Sequence, residues 1–291
     1  MTEWREDREV LLTGASGLVG HAILQRLRAE GARVRAIGRD TGCDLRDRWP
    51  TGSWDVIVHC AARLPLAFGG AEDAAAAAEN RTLDDRAIQA ASDAGAHLIF
   101  LSSASVYGLA AGEITEATPV APRLAYAHQK LATEEAIAAD GLSATVFRLV
   151  APYGPRQTRP TVLRRFLDAA LTGVPLRYFG SGRRSQDFLH VDDAAVAVSL
   201  AARTRVADRL LLASGEAIGM RDLAGLMVEA TGSGSLIEAA GVPDPEEDRV
   251  VRYRTDRLRE RLGFRPSVTL AAGIAAWAAV RRRELLSGAP P

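Results

Sequence analysis

The sequence predicts an α/β fold in which a doubly wound parallel sheet is followed by a smaller C-terminal domain. In the first half of the chain, apolar runs of strand length alternate with segments of helical spacing. This alternation predicts parallel strands joined by helices that cover both faces of one sheet. After about Pro152, proline and glycine become frequent and helical segments predominate, so the alternation does not continue to the end of the chain.

The individual elements are predicted from hydrophobic period and from glycine or proline at their ends. EVLLT at 9–13 is an apolar run typical of a strand, and LVGHAILQRLRAEG at 18–31 has helical spacing and a terminal glycine. The other predicted strands are 33–38, 54–60, 97–103 and 143–150, and the other predicted helices are 71–94, 126–139, 161–172, 192–203, 220–231 and 269–283.

The change of pattern along the chain also predicts a division into domains. We assign residues 1–152 and 189–215 to the sheet-forming domain, and residues 153–188 and 216–285 to the smaller domain. Residues 286–291, which end in SGAPP, are predicted to be a disordered tail. No linker is long enough to separate two independent domains, so we expect both to pack together.

Composition excludes several classes of protein. The 291 residues include 36 acidic and 36 basic side chains, and this balance argues against a nucleic-acid partner, because such proteins are usually basic. Cys43 and Cys60 have neither a disulfide framework nor the spacing of metal ligands, which indicates reduced cysteines in a cytoplasmic protein without a metal. A signal-peptide pattern and an apolar run of the ~18 residues that a membrane span needs are both missing, so we expect no membrane partner.

A glycine-rich turn lies between the first predicted strand and the first predicted helix. TGASGLVG at 13–20 has glycine at 14, 17 and 20, and this strand–turn–helix context is typical of a dinucleotide-binding loop in a Rossmann-type sheet. The glycines allow the backbone to approach a pyrophosphate, whose charge is stabilised at the helix N-terminus. A plain turn into a helix is the alternative. The predicted cofactor contacts in this loop are Gly14, Ser16, Gly17, Leu18, Val19 and Gly20.

The end of the second predicted strand indicates which cofactor is bound. Proteins that bind NAD usually have an acidic residue there, which holds the ribose 2′-hydroxyl. This chain has Gly38 followed by Arg39, and a guanidinium without a competing carboxylate favours the 2′-phosphate of NADP. Asp40 is adjacent, so NAD remains the alternative. Asp44 and Leu45 are predicted adenine contacts, with a solvated loop acid as the other interpretation of Asp44.

The chain has one lysine, Lys130, and uses arginine for every other basic side chain. Lys130 follows Tyr126 by four residues in a predicted helix, so the two side chains lie on one face. An ammonium ~4 Å from a phenolate supplies about 4 kcal/mol at an effective dielectric of about 20, enough to lower a tyrosine pKa from about 10 towards 7. A lysine that persisted by chance is the alternative interpretation.

The order of these features resembles the short-chain dehydrogenase/reductase superfamily. A glycine loop, a strand ending in Ser103 and then the Tyr126-x-x-x-Lys130 motif follow one another as they do in that superfamily. The chain is most similar to the extended branch, which modifies nucleotide sugars. Further segments that resemble this branch are VIVHCAA at 56–62, RLVAPYGP at 148–155, QDFLHVDD at 186–193 and RLGFRPSVTLAAGIAAW at 261–277.

The resemblance implies a role for each candidate site residue. Ser103 would hold the substrate carbonyl, Tyr126 would exchange the proton, and Lys130 would lower the pKa of Tyr126 and hold the nicotinamide ribose. Ser102 and Ser105 are interpreted mainly as structural neighbours of Ser103. Further implied cofactor contacts are Cys60, Ala61, Ala62 and Asn80, and the implied substrate contacts are Arg63, Ser103, Ser105, Tyr153, Arg184 and Arg252.

The motifs also narrow the expected reaction. Sugar dehydratases of this family carry an Asp-Glu pair directly after the strand-end hydroxyl, whereas this chain has Ala104 and Ser105 there. With the expected NADPH, the resemblance implies a ketoreductase acting on a nucleotide-activated keto-deoxysugar, at C4. A nucleotide-sugar 4-epimerase is the alternative enzyme, and a protein that senses NADP without turnover is the alternative from another class.

Recognition of a diphosphate is the least specified part of the predicted site. Family members often have an arginine where this chain has Gln186, so another arginine would have to contact the phosphates. If none does, the substrate is a carbonyl compound without a nucleotide. His59, His128 and His190 are assigned no catalytic role, and a homodimer is expected from the resemblance alone. The candidate phosphate contacts, each with a solvated surface charge as its alternative, are Arg183, Arg184, Arg249, Arg252 and Arg254.

Overall fold

The computed structural model describes residue 4 and residues 8–38, 44–46, 49–65 and 70–287. The described strands are β1 Glu9–Thr13, β2 Arg33–Ile37, β3 Val56–His59, β4 His97–Ser103, β5 Gly112–Ile114, β6 Ala144–Leu149, β7 Ala151–Tyr153, β8 Leu176–Tyr178, β9 Ser185–His190, β10 Asp208–Leu212, β11 Ala217–Gly219, β12 Ile237–Ala239 and β13 Val251–Tyr253. The described helices are α1 Leu18–Ala29, α2 Gly70–Ala94, α3 Ala125–Ala139, α4 Val162–Thr172, α5 Val191–Thr204, α6 Met220–Thr231, α7 Asp256–Leu262 and α8 Leu270–Ser287, with a short 3₁₀ turn at Ala104–Tyr107.

Six parallel strands form the central sheet of the described chain, in the order β2-β1-β3-β4-β6-β10. Strand β1 has β2 on one side and β3 on the other, so the order reverses at β1. In open α/β sheets a ligand binds at such a switch point, beyond the carboxyl ends of the strands. This topology confirms the predicted doubly wound α/β fold.

The apolar character of the central strands follows from burial on both faces. Val10 and Leu12 of β1 lie in a core with α1 and α5, whereas Leu11 lies in a second core with α2 and α3. Successive side chains of a strand point to opposite faces, and here both faces are buried. A run such as EVLLT therefore shows no alternation of apolar and polar residues.

The C-terminal part of the chain has a third core and small sheets. Side chains from α4, α6 and α8 pack around Tyr153, Leu176 and Phe188. A three-stranded sheet β11-β9-β7 and the pairs β12-β8 and β13-β5 complete it. Residues 251–264, which the predicted division places in the smaller domain, pack their apolar side chains into the first core. The domain boundaries stay a prediction.

The structure differs from the predicted elements mainly where elements are short. Helix α7 and the three-residue strands were not predicted, because so few residues show no hydrophobic period. Strands β9 and β10 were not predicted either, although β10 belongs to the central sheet. Helix α8 continues to Ser287, two residues into the predicted tail, and 288–291 lie outside the described residues. Among the described helices, none combines the length and the apolar character needed to cross a bilayer.

Candidate active site

The glycine loop packs tightly against the end of the neighbouring strand. Gly14 has φ +73°, and a Cβ there would lie 2.6 Å from the backbone nitrogen of Ala61. A Cβ on Gly20 would lie 2.1 Å from the carbonyl oxygen of Gly14, and one on Gly17 would lie 3.2 Å from it. Only glycine at positions 14 and 20 therefore lets the β1–α1 turn close onto the start of the helix.

The N-terminus of α1 has the properties of an anion site. Gly17 is its N-cap and supplies no side-chain hydrogen bond, and the first turn contains no acidic residue. The free N–H groups and the helix dipole therefore remain available to a negative group. The loop thus fits the pyrophosphate of a dinucleotide, and the contacts from Ser16, Leu18 and Val19 stay a prediction.

Of the two predicted adenine contacts, Asp44 has an exposed side chain and Leu45 has a buried one. Asp44 is exposed, and its hydrogen bonds with Arg46 lower the pKa of that carboxyl to about 2. Leu45 has its side chain in the second core, so it can offer a cofactor only its backbone, whose carbonyl oxygen accepts from Arg86. The predicted 2′-phosphate contact Arg39 lies outside the described residues.

The segment after β3 is held beside the glycine loop. The Thr13 hydroxyl accepts from the backbone N–H of Ala61 at 3.3 Å, and Ala62 follows it past the end of the sheet. Burial raises the pKa of the Cys60 thiol to about 12, so this thiol stays neutral and unreactive. The proposed cofactor site is therefore bordered by an uncharged segment that consists of Cys60, Ala61 and Ala62.

Asn80 holds the chain after β3 in place. Its side-chain oxygen accepts from the Arg63 N–H at 2.6 Å, and its amide donates to the Arg63 carbonyl at 2.9 Å. Asn80 is fully buried. Its predicted contact with the cofactor stays a prediction. The Arg63 guanidinium lies at the surface and pairs with Glu79 at 3.1 Å.

Ser103, Tyr126 and Lys130 come together at the carboxyl end of β4. The Tyr126 hydroxyl is hydrogen-bonded to the Ser103 side chain. Lys130, one helical turn later on α3, has Nζ 5.9 Å from the centre of the Tyr126 ring and 4.4 Å from that of Phe100. Ser103 Oγ accepts from the N–H and the hydroxyl of Ser105 at 3.1 and 2.9 Å. Both lone pairs of Ser103 Oγ are thus used, so Ser103 bonds Tyr126 through its own hydrogen, and a bound carbonyl oxygen would compete for this hydrogen.

The electrostatics of Tyr126 correct one expectation. Burial raises the pKa of Tyr126 above its ordinary value of 10, and the charge of Asp84 acts in the same direction. Lys130 and the hydrogen bond with Ser103 lower the Tyr126 pKa, as predicted for Lys130, but burial outweighs them. Without a bound partner, the site therefore keeps Tyr126 as a neutral phenol.

One predicted substrate contact, Tyr153, is buried in the structure. Tyr153 is 1% exposed and packs between His190 and Trp277, with its ring against Gly273 of α8. This burial argues against the predicted contact of Tyr153 with substrate. The spacing of the PYGP segment could not show which way the ring turns.

The candidate arginines differ in how they are held. Arg184 pairs with Asp244 at 2.7 Å, and Arg183 pairs with Asp248 at 2.8 Å. Arg254 pairs with Glu113 and Asp256, whereas Arg252 is exposed. Arg249 is 17% exposed, hydrogen-bonds Tyr253 and lies 4.0 Å from Glu246. Phosphate contact by any of these side chains stays a prediction.

Comparison with known proteins identifies the group to which this site belongs. Residues 10–210 match the model of the NAD dependent epimerase/dehydratase family. The chain belongs to this family. Membership confirms the resemblance to extended short-chain dehydrogenases/reductases and makes the chain an enzyme of that type.

Relatives within the family catalyse different reactions. The chain is 29% identical to a dTDP-glucose 4,6-dehydratase of Streptomyces griseus, over 92% of each chain. It is 30% identical to a UDP-glucose 4-epimerase of Mycolicibacterium smegmatis, over 91% of this chain and 96% of the relative. The solved structure of MoeE5 with UDP-glucuronic acid and NAD is 27% identical, with a TM-score of 0.78 over 95% of this chain and 99% of the other.

Two buried acids of α2 contribute to the site of this epimerase/dehydratase family member and were not predicted. Asp73 accepts from the backbone N–H of Ala125 at 3.0 Å and of Tyr126 at 3.3 Å, which caps α3 from another helix. Asp84 lies 3.7 Å from the ammonium of Lys130. Neither acid has a local sequence signal, because its partners are 46 to 53 residues away along the chain.

Proposed function

We propose that this protein is an NADPH-dependent ketoreductase that reduces C4 of a nucleotide-activated keto-deoxysugar. The observation that carries this proposal is the place of Tyr126 between Ser103 and Lys130 at the end of β4. A reductase needs a proton donor at this position, and the neutral phenol of Tyr126 is such a donor, with the Lys130 ammonium close enough to stabilise the phenolate that forms.

The residues of the chain support a direct reduction mechanism. When bound, the cofactor supplies the hydride that reaches the carbonyl carbon. Ser103 donates a hydrogen bond to the carbonyl oxygen, which polarises the carbonyl and fixes its position. Tyr126 donates its proton to that oxygen, so the ketone becomes a secondary alcohol and the phenol becomes a phenolate. The Lys130 ammonium stabilises the phenolate until a solvent proton restores it.

The segment after Ser103 argues against dehydration. Family dehydratases need an acid and a base there to expel water, whereas this chain places Ala104 and Ser105 in a 3₁₀ turn. Ser105 uses its hydroxyl to bond Ser103. Asp84, a carboxylate whose charge acts on Tyr126, is fully buried and cannot reach a substrate.

The proposed choice of NADPH rests on the end of β2. That strand ends at Ile37 and is followed by Gly38, so the usual acidic contact to a ribose 2′-hydroxyl is missing from this position. Arg39 comes next in the sequence and would contact the 2′-phosphate. Substitution of Arg39 by alanine should therefore weaken NADPH much more than NADH. Equal losses in titrations of both cofactors would remove this support.

A 4-epimerase is the second candidate, because the Mycolicibacterium smegmatis epimerase matches over nearly the whole chain. The two reactions differ in cofactor balance. A ketoreductase consumes one NADPH per product and adds two hydrogens to the substrate, whereas an epimerase leaves both the cofactor and the product mass unchanged.

Incubation with a panel of nucleotide 4-keto-6-deoxysugars and with UDP-glucose therefore separates the candidates. We expect loss of NADPH absorbance and a mass gain of two hydrogens with at least one keto-sugar, both abolished by Tyr126→Phe. Interconversion of UDP-glucose with its C4 epimer, without net loss of cofactor, would instead establish the epimerase.

A further inference from the structure

A buried carboxylate lies beside the only lysine of the chain. Asp84 is fully buried on α2, and its Oδ2 lies 3.7 Å from Nζ of Lys130, which is itself 2% exposed. The ammonium therefore has Tyr126 and the ring of Phe100 as neighbours, and a negative charge as well. Neither the glycine loop nor the Tyr-x-x-x-Lys motif predicts this charge.

Asp84 is fixed by hydrogen bonds from two other elements. Oδ1 accepts from His59 Nε2 at 2.9 Å, and Oδ2 accepts from Gln129 Nε2 at 2.5 Å and from Thr133 Oγ1 at 2.9 Å. The other nitrogen of His59 bonds the hydroxyl of Thr13 at 2.8 Å. The carboxylate is thus tied to β1 and β3 of the sheet and to the helix that carries Lys130, so it cannot easily move.

The lysine is held less tightly than its carboxylate. A distance of 3.7 Å is longer than a hydrogen bond, so the ammonium lies close to Asp84 without a direct hydrogen bond to it. A lysine locked onto a carboxylate could not turn its donors to a phenolate or a sugar hydroxyl. We propose that Asp84 is a positioning residue, whose fixed carboxylate sets where the Lys130 ammonium lies relative to Tyr126.

The proposal has an electrostatic consequence for Tyr126. Lys130 faces it from its own helix, Asp84 from α2 and Ser103 from the end of β4. Of these, Lys130 and Ser103 lower the pKa of Tyr126, whereas Asp84 raises it. Two further titratable groups lie close by: His59 faces Asp84 from β3, and the Cys60 thiol interacts with the Lys130 charge. Removal of the Asp84 charge should therefore lower the pKa of Tyr126 and leave Lys130 free to shift.

Asp84→Asn is the direct test, because the network can accommodate it. Oε1 of Gln129 is buried and has no hydrogen-bond partner among the described residues. A flip of this amide would turn Oε1 towards the new side-chain NH₂ of the variant, and the Thr133 hydroxyl can rotate to accept as well. Asp85→Asn is the matched control, since Asp85 is the next residue of the same helix but is exposed and pairs with Arg81.

The single lysine makes the readout specific. Protein labelled at the lysine side-chain nitrogen gives one ammonium signal, and tyrosine labelled in the ring reports the Tyr126 titration, assigned by its loss in Tyr126→Phe. In Asp84→Asn we expect the lysine signal to move and Tyr126 to titrate at lower pH, with neither change in Asp85→Asn. If both readouts in folded Asp84→Asn coincide with those of Asp85→Asn, Asp84 is not a positioning residue.

The catalytic readout rests on the proposed function, in which Tyr126 and Lys130 transfer the proton. We expect kcat of Asp84→Asn to fall about tenfold with KM nearly unchanged, the scale of one hydrogen bond to a charged group. Lack of turnover by the unmodified protein on every keto-sugar would refute the proposed function, whereas the resonance experiment would still decide the role of Asp84.

A second variant tests the proposal in case Asp84→Asn does not fold. Thr133→Val keeps the Asp84 charge and the side-chain volume but removes one hydrogen bond to the carboxylate. We expect a smaller displacement of the same lysine signal, and an unmoved signal in this variant would count against the proposal.

Discussion

Helix α3 carries two buried charged clusters, one helical turn apart, and they are built differently. Lys130 and Glu134 are four residues apart on the same helix, yet each pairs with a residue from another element. We call them the lysine cluster and the glutamate cluster. The lysine cluster consists of Lys130, Asp84, His59 and Tyr126, and the glutamate cluster consists of Glu134, Arg148, Tyr107 and Ser102.

The glutamate cluster is closed. Arg148 donates to both oxygens of Glu134 at 2.7 to 3.1 Å, and its Nη1 bonds the Tyr107 hydroxyl at 2.9 Å. Ser102 donates to the same carboxylate at 2.5 Å, and Arg209, from outside the cluster, pairs with it at 3.0 Å. The carboxylate is thus fully paired and has nothing left to offer a ligand.

The lysine cluster is open by comparison. Its ammonium is 3.7 Å from Asp84, and its tyrosine bonds the side chain of Ser103. Burial raises the pKa of both Tyr107 and Tyr126, so a perturbed tyrosine alone does not mark a functional site. What distinguishes the lysine cluster is the long distance between its ammonium and its carboxylate, at the carboxyl end of the sheet.

The largest effect is expected from Lys130→Met. Without the ammonium, the phenolate formed on Tyr126 has no stabilising charge, so kcat should fall by about 10³- to 10⁴-fold, or about 4–5 kcal/mol. The free energy of unfolding should also fall, because the buried Asp84 loses the charge of Lys130, although His59, Gln129 and Thr133 still donate hydrogen bonds to it. Steady-state rates and denaturant unfolding of the same preparation test whether the two quantities separate.

Lys130→Arg sharpens this test, because it keeps the charge and changes its shape. We expect cofactor affinity and kcat to fall while the protein stays folded, since a planar fork cannot occupy the position of a compact ammonium. An arginine variant with native rates and native cofactor Kd would show that the single lysine is an accident of composition.

The opposite pattern is expected from Glu134→Gln. Arg148 is 1% exposed, and its charge would lose its buried partner, so the free energy of unfolding should fall by about 3–5 kcal/mol. The kcat per folded molecule should stay near its native value, because Glu134 pairs with Arg148 whereas Lys130 lies beside Asp84. A large loss of kcat in a fully folded variant would mean that the two clusters are coupled through α3.

The difference between the clusters also shows what the sequence could predict. The bounds of β1 and β4, the glycine loop and the meeting of Ser103, Tyr126 and Lys130 follow from hydrophobic period and motif order. Asp84 could not be found in this way, because it faces Lys130 only after α2 packs on α3. The raised pKa of Tyr126 was missed for a related reason: spacing shows a nearby charge but not the extent of burial.

A third buried cluster, at the other end of β4, extends the comparison to pH. His97 is 2% exposed, bonds Ser143 at 2.8 Å and Thr145 at 2.9 Å, and burial lowers its pKa from 6.5 to about 4. Between these values the unfolded chain binds a proton that the folded chain does not. Stability from His97 is therefore complete above pH 6.5 and is lost as pH falls towards 4, by about 3 kcal/mol at most.

Denaturant unfolding of wild type and His97→Gln across this pH range measures the effect. As the pH falls, the free energy of unfolding should decrease more steeply for the wild type than for the variant, whereas the Tyr126 titration should be the same in both. Parallel curves for the two proteins would show that His97 is protonated in the folded state.

The smallest effect is expected from Asp73→Ala, which acts on the end of α3 nearest to the lysine cluster. The N-cap residue Leu124 has no capping side chain, so Asp73 of α2 supplies the acceptor for the N–H groups of Ala125 and Tyr126. Loss of a cap typically costs about 1 kcal/mol, and we expect the free energy of unfolding to fall by about that amount. Because Tyr126 itself is one of the capped residues and Glu134 lies two turns further on, kcat should also fall, by roughly fivefold if alignment costs a similar energy.

Glu72→Ala, a neighbouring exposed acid of the same turn, is the control and should change neither quantity. Hydrogen exchange at the first turn of α3 provides the decisive measurement. Faster exchange at Tyr126 with unchanged exchange at Glu134 would show that the cap orders the lysine cluster selectively, whereas equal acceleration along the helix would mean that the two clusters share one structural unit.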